Sequence, residues 1–290
     1  MTSTDQLGDL RYPLEERKIA LSSGVTLSVK SRGDGPPVLL LHGFPQNSYT
    51  WRKHLPLLAN AGFRAIAPDM RGYGRSDKPT AVSDYATSRL IDDVHALVRS
   101  LGYEKVHLVG HDWGGVVAFH VAAARPEIVD RLVILNAPHP DLYFRSLLRS
   151  QKQRNLSWYI FLFQLPFLPE RVLPLKWVLP RMFRMYGPGV FTDEDVETYT
   201  NAVRAPGAAR AMVNYYRAAA RRYRPIPSIK RPTLVLWGEK DLALGTWQLD
   251  GLERYVENLI VQRFPHASHW LNEEKPDEVH EAMVRFFRPT

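Results

Sequence analysis

The first half of the chain alternates between short apolar runs and longer segments with helical periodicity. The apolar runs, rich in aliphatic residues as strands buried on both faces of a parallel sheet are, cover 38–41, 63–67, 106–109 and 132–135. The intervening segments place apolar residues at helical spacing, and they cover 48–60, 87–102 and 114–124. This alternation predicts a doubly wound, mostly parallel α/β sheet.

The opening segments at 17–22 and 26–31 predict a hairpin that turns at Ser23-Gly24 and adds an antiparallel edge to the sheet. The alternation stops after residue 135, and residues 139–227 contain many Arg, Pro and aromatic residues without a clear strand. The clearest helix of that region is at 208–222.

Strand–helix alternation resumes with strands at 233–237 and 259–264 and a helix at 277–287. We therefore predict one α/β core, built from residues 1–138 and 228–290. A helical cap, residues 139–227, is inserted after one strand.

The composition excludes several classes of protein. The chain has 290 residues, of which 45% are hydrophobic and 23% charged, as in ordinary globular domains. It has 0 cysteines, so disulfides, thiolate zinc sites and cysteine nucleophiles are excluded. Residues 1–14 lack the apolar core of a signal peptide, and Pro, Arg and Lys interrupt the apolar stretch 158–180. We expect a cytoplasmic protein without a stable membrane span, either a monomer or a homodimer.

The net charge of +8 is concentrated in the predicted cap, where residues 139–227 contain 14 basic and 6 acidic residues. No nucleic-acid motif accompanies this charge, so no nucleic-acid partner is expected. One interpretation is a solvated basic surface, and the alternative is peripheral contact between this apolar and basic segment and an anionic membrane.

The most informative motif is Gly110-His111-Asp112-Trp113-Gly114-Gly115, between an apolar strand and an Ala-rich helix. This is the context of a nucleophile elbow, in which a sharp strand-to-helix turn presents one side chain above the sheet. The elbow residue here is Asp112, although an aspartate at a helix start also fits a purely structural N-cap.

An aspartate at an elbow predicts a particular chemistry. A carboxylate needs no general base to attack a saturated carbon, and the ester that forms is then hydrolysed at the aspartate carbonyl. A serine attacking the same carbon would give an unreactive ether. Asp112 therefore indicates cleavage of a carbon–oxygen or carbon–halogen bond.

Three further segments complete the predicted site. The loop His42-Gly43-Phe44-Pro45 follows a strand, so the backbone amides of Phe44 and Trp113 are the predicted oxyanion hole. Downstream strands end before Asp241 and His269, in the chain order nucleophile, acid, histidine. We assign His269 as general base and Asp241 as its orienting acid, with His266 as a competing base.

Together these motifs closely resemble the epoxide hydrolases of the α/β-hydrolase fold, over residues 18–287. His42-Gly43-Phe44-Pro45 looks like the family's HGxP motif, and Gly110–Gly115 matches its aspartate elbow. The resemblance implies that an epoxide is converted to a vicinal diol through a covalent Asp112 ester, with no metal or other cofactor.

The resemblance also implies two cap tyrosines that donate hydrogen bonds to the epoxide oxygen. The aromatic run that ends in Gln164-Leu165-Pro166 selects Tyr159, and the Tyr-Tyr-Arg pattern at 215–217 selects Tyr216, with Tyr215 as the alternative. We also predict an apolar pocket that is lined by Phe163, Phe167, Trp270 and Tyr215. A role in the hydrophobic core suits these aromatic residues equally well.

Two other functions compete with this interpretation. A haloalkane or haloacetate dehalogenase would use the same nucleophile, but relatives of those classes usually carry a side-chain donor where Phe44 stands, or an arginine where Trp113 stands. A non-catalytic ligand receptor would not need the complete set of Asp112, Asp241 and His269.

Overall fold

The computed structural model describes residues 12–221 and 223–288. The strands of this part of the chain are β1 (Glu15–Ala20), β2 (Thr26–Arg32), β3 (Pro37–Leu41), β4 (Arg64–Pro68), β5 (Val106–His111), β6 (Val129–Leu135), β7 (Thr233–Gly238) and β8 (Leu259–Phe264). They form one sheet in the order β1-β2-β4-β3-β5-β6-β7-β8.

The strands from β3 to β8 pair in parallel, whereas β1 and β2 form an antiparallel hairpin at one edge. The predicted sheet, its strands and its antiparallel edge are therefore confirmed. The crossovers bring the carboxyl ends of β3, β5, β6, β7 and β8 to one edge of the sheet, where the sequence places its candidate catalytic residues.

The helices of the core lie on both faces of this sheet and are α1 (His54–Asn60), α2 (Thr87–Ser100), α3 (Trp113–Ala124), α11 (Leu271–Glu274) and α12 (Pro276–Phe287). Between β6 and β7 lie α4 (Pro140–Arg149), α5 (Gln151–Leu156), α6 (Trp158–Phe163), α7 (Leu168–Val172), α8 (Val178–Tyr186), α9 (Asp193–Arg204) and α10 (Ala208–Arg221). Short 3-10 helices lie at Ser48–Trp51, Val82–Tyr85, Pro126–Ile128, Thr246–Leu249 and Leu252–Arg254.

Alternating residues of the central strands enter two separate apolar cores. In β3, Leu39 and Leu41 pack toward α2 and α3, whereas Val38 and Leu40 pack toward α1 and α12. Strands buried on both faces carry the near-continuous apolar runs that the sequence shows. The doubly wound α/β architecture follows from this burial.

The segment between β6 and β7 contains helices and no strand among its described residues, 139–221 and 223–227. These helices pack over the same core face as α2 and α3 and contribute Phe163 and Tyr216 to its apolar cluster. The domain limits at 139 and 227 stay a prediction, and the helical run lies within them.

A buried ionic network joins the helical cap to the core. The carboxylate of Glu273 accepts hydrogen bonds from Arg52 of the core, at 2.8 and 2.9 Å, and from the Tyr199 hydroxyl of α9, at 3.0 Å. Arg52 also pairs with Asp195 of α9, with 2.7 Å between nitrogen and oxygen. Charged groups at this depth are stable because each has several partners.

One detail differs from the sequence prediction, and two predicted segments extend beyond the described residues. The single helix expected at 48–60 is divided into the 3-10 turn Ser48–Trp51 and α1, where the amide of Ser48 donates to Asp69 at 2.9 Å. Residues 1–11 of the segment without a signal-peptide pattern, and Arg222 at the end of the predicted helix, lie outside the described residues. In the part of the chain that is described, no helix is both long and apolar enough to cross a bilayer.

Candidate active site

Asp112 lies at a tight turn between β5 and α3. Its φ of 51° and ψ of −121° fall in a backbone region that side-chain-bearing residues rarely adopt. The turn requires close backbone approach, because a methyl group at Gly110 or Gly114 would overlap the carbonyl of Gly114 or Leu41. The strained elbow that the glycine pattern predicts is therefore present, and it lifts the Asp112 carboxylate above the carboxyl edge of the sheet.

The two oxygens of the Asp112 carboxylate have different surroundings. Oδ1 accepts a hydrogen bond from the amide of Phe44 at 2.7 Å, and the amide of Trp113 also donates to this carboxylate. Oδ2 lies 3.7 Å from Nε2 of His269, beyond hydrogen-bonding distance. Oδ1 is thus held by the amide of Phe44, one of the two predicted oxyanion-hole donors, whereas Oδ2 faces the imidazole of His269.

His269 and Asp241 are in direct contact at the ends of neighbouring strands. Nδ1 of His269 lies 2.7 Å from Oδ2 of Asp241, and both side chains are buried. The other oxygen of Asp241 accepts the amides of Ala243 and Leu244, at 2.8 and 3.0 Å. Asp241 therefore fixes the orientation of the imidazole and directs Nε2 toward Asp112.

The charges of this triad shift the pKa values of all three groups. Burial alone would lower the pKa of His269, but the carboxylates of Asp241 and Asp112 raise it to about 9. Burial raises the pKa of Asp112, although His269 and the two amides oppose the effect. The pKa of Asp241 is lowered despite its burial, because His269 and Asn136 stabilise its charge.

The two predicted cap tyrosines lie together above the elbow. The ring of Tyr216 packs edge-on against Trp113 and Phe44, with centroid distances of 5.0 and 5.5 Å, and Tyr159 lies 5.9 Å from Tyr216. Burial raises the pKa of both phenols well above the ordinary value, with a further contribution from the charge of Asp112. Both hydroxyls therefore remain protonated and able to donate.

Comparisons with known proteins agree with this geometry. A family model described as the alpha/beta hydrolase fold matches residues 36–276. The chain is 36% identical to Epoxide hydrolase 3 of Xenopus tropicalis, over 92% of this chain and 76% of that protein. The chain belongs to the epoxide hydrolase family of the α/β-hydrolase fold.

Two further similarities support this membership. The chain is 38% identical to the AB hydrolase superfamily protein YfhM of Bacillus subtilis (strain 168), over 92% of this chain and 96% of that protein. The crystal structure of a Bacillus megaterium epoxide hydrolase in complex with an inhibitor matches with a TM-score of 0.85 and 32% identity, covering 93% of this chain and 99% of that one.

The structure separates the residues expected to line the pocket of this epoxide hydrolase. Phe163 is buried and packs against Phe44 and Tyr216, at centroid distances of 5.6 and 4.9 Å. Trp270 is buried, and the centroid of its ring lies 4.9 Å from that of His269. The expectation for Phe167 is wrong, because its side chain is 71% exposed at the left-handed start of α7.

Tyr215, the alternative to Tyr216 as second donor, makes a contact with the core instead. The hydroxyl of Tyr215 donates to the carbonyl of Arg71 at 2.7 Å, and its ring packs against Tyr73 and Tyr85. Its proton is therefore committed to the core, which favours Tyr216 as the second donor to the epoxide.

The other histidines considered in the sequence have structural contacts or lie on the surface. His42 receives the amide of Met70 at 2.9 Å, and His111 donates to the carbonyl of His269 at the same distance. Burial lowers the pKa of His42 to about 4 and that of His111 to about 3, so both are neutral. His266 has an exposed side chain, so the described contacts favour His269 as the base.

Sequence reasoning missed Asn136, which supports the acid of the triad. Its amide nitrogen donates to Asp241 at 2.9 Å, and its oxygen accepts the amide of Gly238 at 2.8 Å. Asn136 has a φ of 37°, a value that asparagine tolerates better than most residues. An asparagine directly after the apolar run 132–135 was the available signal.

A second network that the sequence did not reveal connects the acid loop to the helix of Tyr159. Gln153 is fully buried, and its amide nitrogen donates to the carbonyl of Ala243 at 3.1 Å and to the hydroxyl of Ser157 at 2.9 Å. Ser157 also hydrogen-bonds the Tyr143 hydroxyl at 2.7 Å, directly before α6 begins.

Among the described residues, no cluster of three or more His, Asp or Glu side chains could hold a metal ion.

Proposed function

We propose that this enzyme converts an apolar epoxide to a vicinal diol in two chemical steps, through an ester on Asp112. The observation that carries the proposal is the asymmetry of the Asp112 carboxylate. The Phe44 amide binds Oδ1 at 2.7 Å, whereas Oδ2 faces His269 at 3.7 Å. This arrangement suits a carboxylate that attacks with one oxygen and is later hydrolysed as an ester.

In the first step, Oδ2 of Asp112 attacks one epoxide carbon and forms a carbon–oxygen bond. The bond between that carbon and the epoxide oxygen breaks, and the electron pair moves to the oxygen. Tyr159 and Tyr216 stabilise the developing alkoxide, and one of them protonates it. The product is a hydroxyalkyl ester, and the phenol regains its proton from solvent.

In the second step, Nε2 of His269 removes a proton from a water molecule that attacks the carbonyl carbon of the ester. Negative charge develops on Oδ1, where the amide of Phe44 already donates, and the amide of Trp113 also donates to this carboxylate. Asp241 stabilises the imidazolium at 2.7 Å. Collapse of the intermediate breaks the acyl–oxygen bond, and His269 protonates the departing oxygen. The diol leaves, and the carboxyl group of Asp112 releases its remaining proton to solvent, which regenerates the carboxylate.

The test is a parallel assay of the purified enzyme with a panel of small epoxides and a panel of chloroalkanes. We expect diol without halide, and loss of diol formation in freshly prepared Asp112→Asn. Asp250→Asn, which changes an exposed aspartate, is the matched control and should retain activity. Halide release without diol would replace this proposal with a dehalogenase that uses the same nucleophile.

A single turnover in ¹⁸O-labelled water tests the route. The two-step scheme places the label in the carboxylate of Asp112 and leaves the first diol unlabelled, because water attacks the ester carbonyl. Label in the first diol and none in the Asp112 peptide would show direct attack of water on the epoxide and would overturn the ester mechanism.

The cytoplasmic location stays a prediction.

A further inference from the structure

The helical cap exposes an unusual set of large apolar side chains. Trp158 is 54% exposed, Phe161 56% and Trp177 61%. With three other exposed residues of the cap they make up a set that we call the cap patch, which consists of Trp158, Phe161, Phe167, Leu168, Trp177 and Met185. Exposed tryptophan and phenylalanine at this density are typical of surfaces that meet a partner or a membrane.

The residues of the cap patch are linked through neighbouring helices. Trp158 and Phe161 are one turn apart on α6, and the side chain of Trp158 hydrogen-bonds Tyr186 at the end of α8. Trp177 and Met185 line a surface groove of about 580 Å³, together with Arg181 and Arg184. Trp177, Met185 and the two arginines therefore share one surface, and Tyr186 connects it to Trp158.

The segment that carries the cap patch is strongly basic, whereas α9, which packs against α8, begins with the acidic residues Asp193, Glu194 and Asp195. Residues 142–192 contain eight basic residues and one acidic residue, Glu170. The carboxylate of Glu170 is paired with Arg217, with 2.5 Å between nitrogen and oxygen. A partner that complements this surface must be both anionic and able to receive aromatic side chains.

We propose that the cap patch docks on the surface of a bilayer that contains anionic phospholipid. Tryptophan rings are stable at the level of the headgroups, where an apolar body and an N–H donor both find partners. Arg181 and Arg184, beside Trp177, then meet the negative surface potential of the lipid. A second copy of the chain fits this face less well, because a symmetric contact would place the two positive surfaces against each other.

The cap patch also borders the active site. The exposed ring of Trp158 packs edge-on against Tyr159, with centroids 6.4 Å apart. Docking would therefore place the neighbourhood of Tyr159 close to the lipid, where apolar epoxides accumulate. This consequence rests on the proposed function, whereas binding to the bilayer does not.

The experiment is co-sedimentation of the full chain with vesicles of phosphatidylcholine, alone or mixed with phosphatidylglycerol, at low and high salt. We expect binding to the mixed vesicles at low salt that weakens as salt is added. Arg181→Gln/Arg184→Gln should lower the partition coefficient about fivefold for each arginine removed. Phe161→Ser/Trp177→Ser should lower it about tenfold for each aromatic ring removed.

Matched controls change the same chemistry outside the cap patch. Arg99→Gln/Arg125→Gln removes the same charge from exposed positions, and Ile260→Ser/Val261→Ser removes exposed apolar side chains from β8. Both controls should bind vesicles like the unaltered chain. All variants should keep their melting temperature and their diol formation in vesicle-free buffer, which separates this test from that of the proposed function.

Three outcomes would overturn the proposal. The first is no binding to the anionic vesicles at low salt, and the second is an equal loss of binding in the controls and in the patch variants. The third is a concentration-dependent dimer, measured by sedimentation equilibrium, that the patch variants dissociate while vesicle binding is absent. That result would assign the surface to a second copy of the chain.

Discussion

The hydroxyl of Tyr215 lies 2.7 Å from the carbonyl oxygen of Arg71 and donates its proton there. The next residue on α10, Tyr216, presents its ring instead to Trp113 and Phe44, beside the proposed nucleophile Asp112. Adjacent residues of a helix point in different directions, so two neighbouring phenols serve two purposes. Tyr215 attaches the cap to the core, and Tyr216 is the phenol that we propose as a donor to the substrate.

Removing the hydroxyl of Tyr216 should therefore slow the opening of the epoxide. A general acid contributes about 10²- to 10⁴-fold, and Tyr159 remains as a second donor, so Tyr216→Phe should lower the rate of ester formation about 10²-fold. The measurement is the single-turnover rate of Asp112 alkylation at saturating epoxide. Hydrolysis of the ester, once formed, should be little changed.

Tyr215→Phe is the matched control for this prediction. It removes the hydrogen bond to Arg71 and should lower the free energy of unfolding by about 1 kcal/mol. Its rate of alkylation should stay close to that of the unaltered enzyme. The opposite result, with slow alkylation in Tyr215→Phe and a normal rate in Tyr216→Phe, would exchange the roles of the two tyrosines.

His269→Gln should separate the two chemical steps. Asp112 needs no base to attack, so the ester should form, but the water that cleaves it would no longer be activated. We expect ester hydrolysis to slow about 10²- to 10⁴-fold and the mass of the protein to increase by one substrate molecule. Intact-protein mass spectrometry after brief incubation with epoxide measures this adduct.

His266→Gln tests the competing histidine three positions earlier. Its side chain is exposed, so this variant should turn over epoxide normally and accumulate no ester. Trapping of the ester by His266→Gln, with normal turnover by His269→Gln, would identify His266 as the base. An adduct that persists when Asp112 is also changed to Asn would show that another residue is alkylated.

The same triad predicts how each step depends on pH. In the free enzyme the carboxylates of Asp241 and Asp112 raise the pKa of His269 to about 9, so the imidazole is protonated at neutral pH. Forming the ester removes the charge of Asp112, and the pKa of His269 then falls. Ester hydrolysis needs the neutral imidazole, so its rate should rise with pH and reach its midpoint below 9.

The decrease in the rate of alkylation at low pH should come from protonation of Asp112. Burial raises the pKa of Asp112 above the ordinary carboxyl value, so alkylation should slow at a higher pH than for an exposed aspartate. Single-turnover measurements across the pH range give the rate of alkylation and the rate of ester hydrolysis separately. We expect the midpoint for hydrolysis below pH 9, because the ester carries no charge at Asp112. A midpoint at pH 9 or above would contradict this explanation of how His269 becomes neutral.

The sequence predicted those features that local patterns specify. The parallel strands are buried on both faces and therefore appear as apolar runs, and the elbow requires glycine on both sides of Asp112. Features that depend on how the cap packs could not be predicted from local sequence patterns. Phe167 and Phe163 are similar in sequence context, but the fold exposes the first and buries the second.

The support of the triad depends on contacts between distant segments, which local patterns do not specify. Asn136 and Asp241 are 105 positions apart in the chain, and the parallel pairing of β6 with β7 brings their loops together. The direction of the Tyr215 and Tyr216 hydroxyls likewise depends on the angle at which α10 meets the core. Neither contact has a periodic or compositional signature.

The attachment of the cap should depend on Glu273, which is buried where core and cap meet. Its carboxylate accepts hydrogen bonds from Arg52 and Tyr199, so Glu273→Gln leaves the partly buried guanidinium of Arg52 with less compensation. We expect the free energy of unfolding in urea to fall by about 3 kcal/mol, because breaking a buried ion pair exposes the cost of desolvating the remaining charge. Glu278→Gln is the matched control: its partner is Lys275 at 3.2 Å, both side chains are substantially exposed, and the loss should stay below about 1 kcal/mol. Equal losses in the two variants would show that the buried network does not stabilise the contact between cap and core.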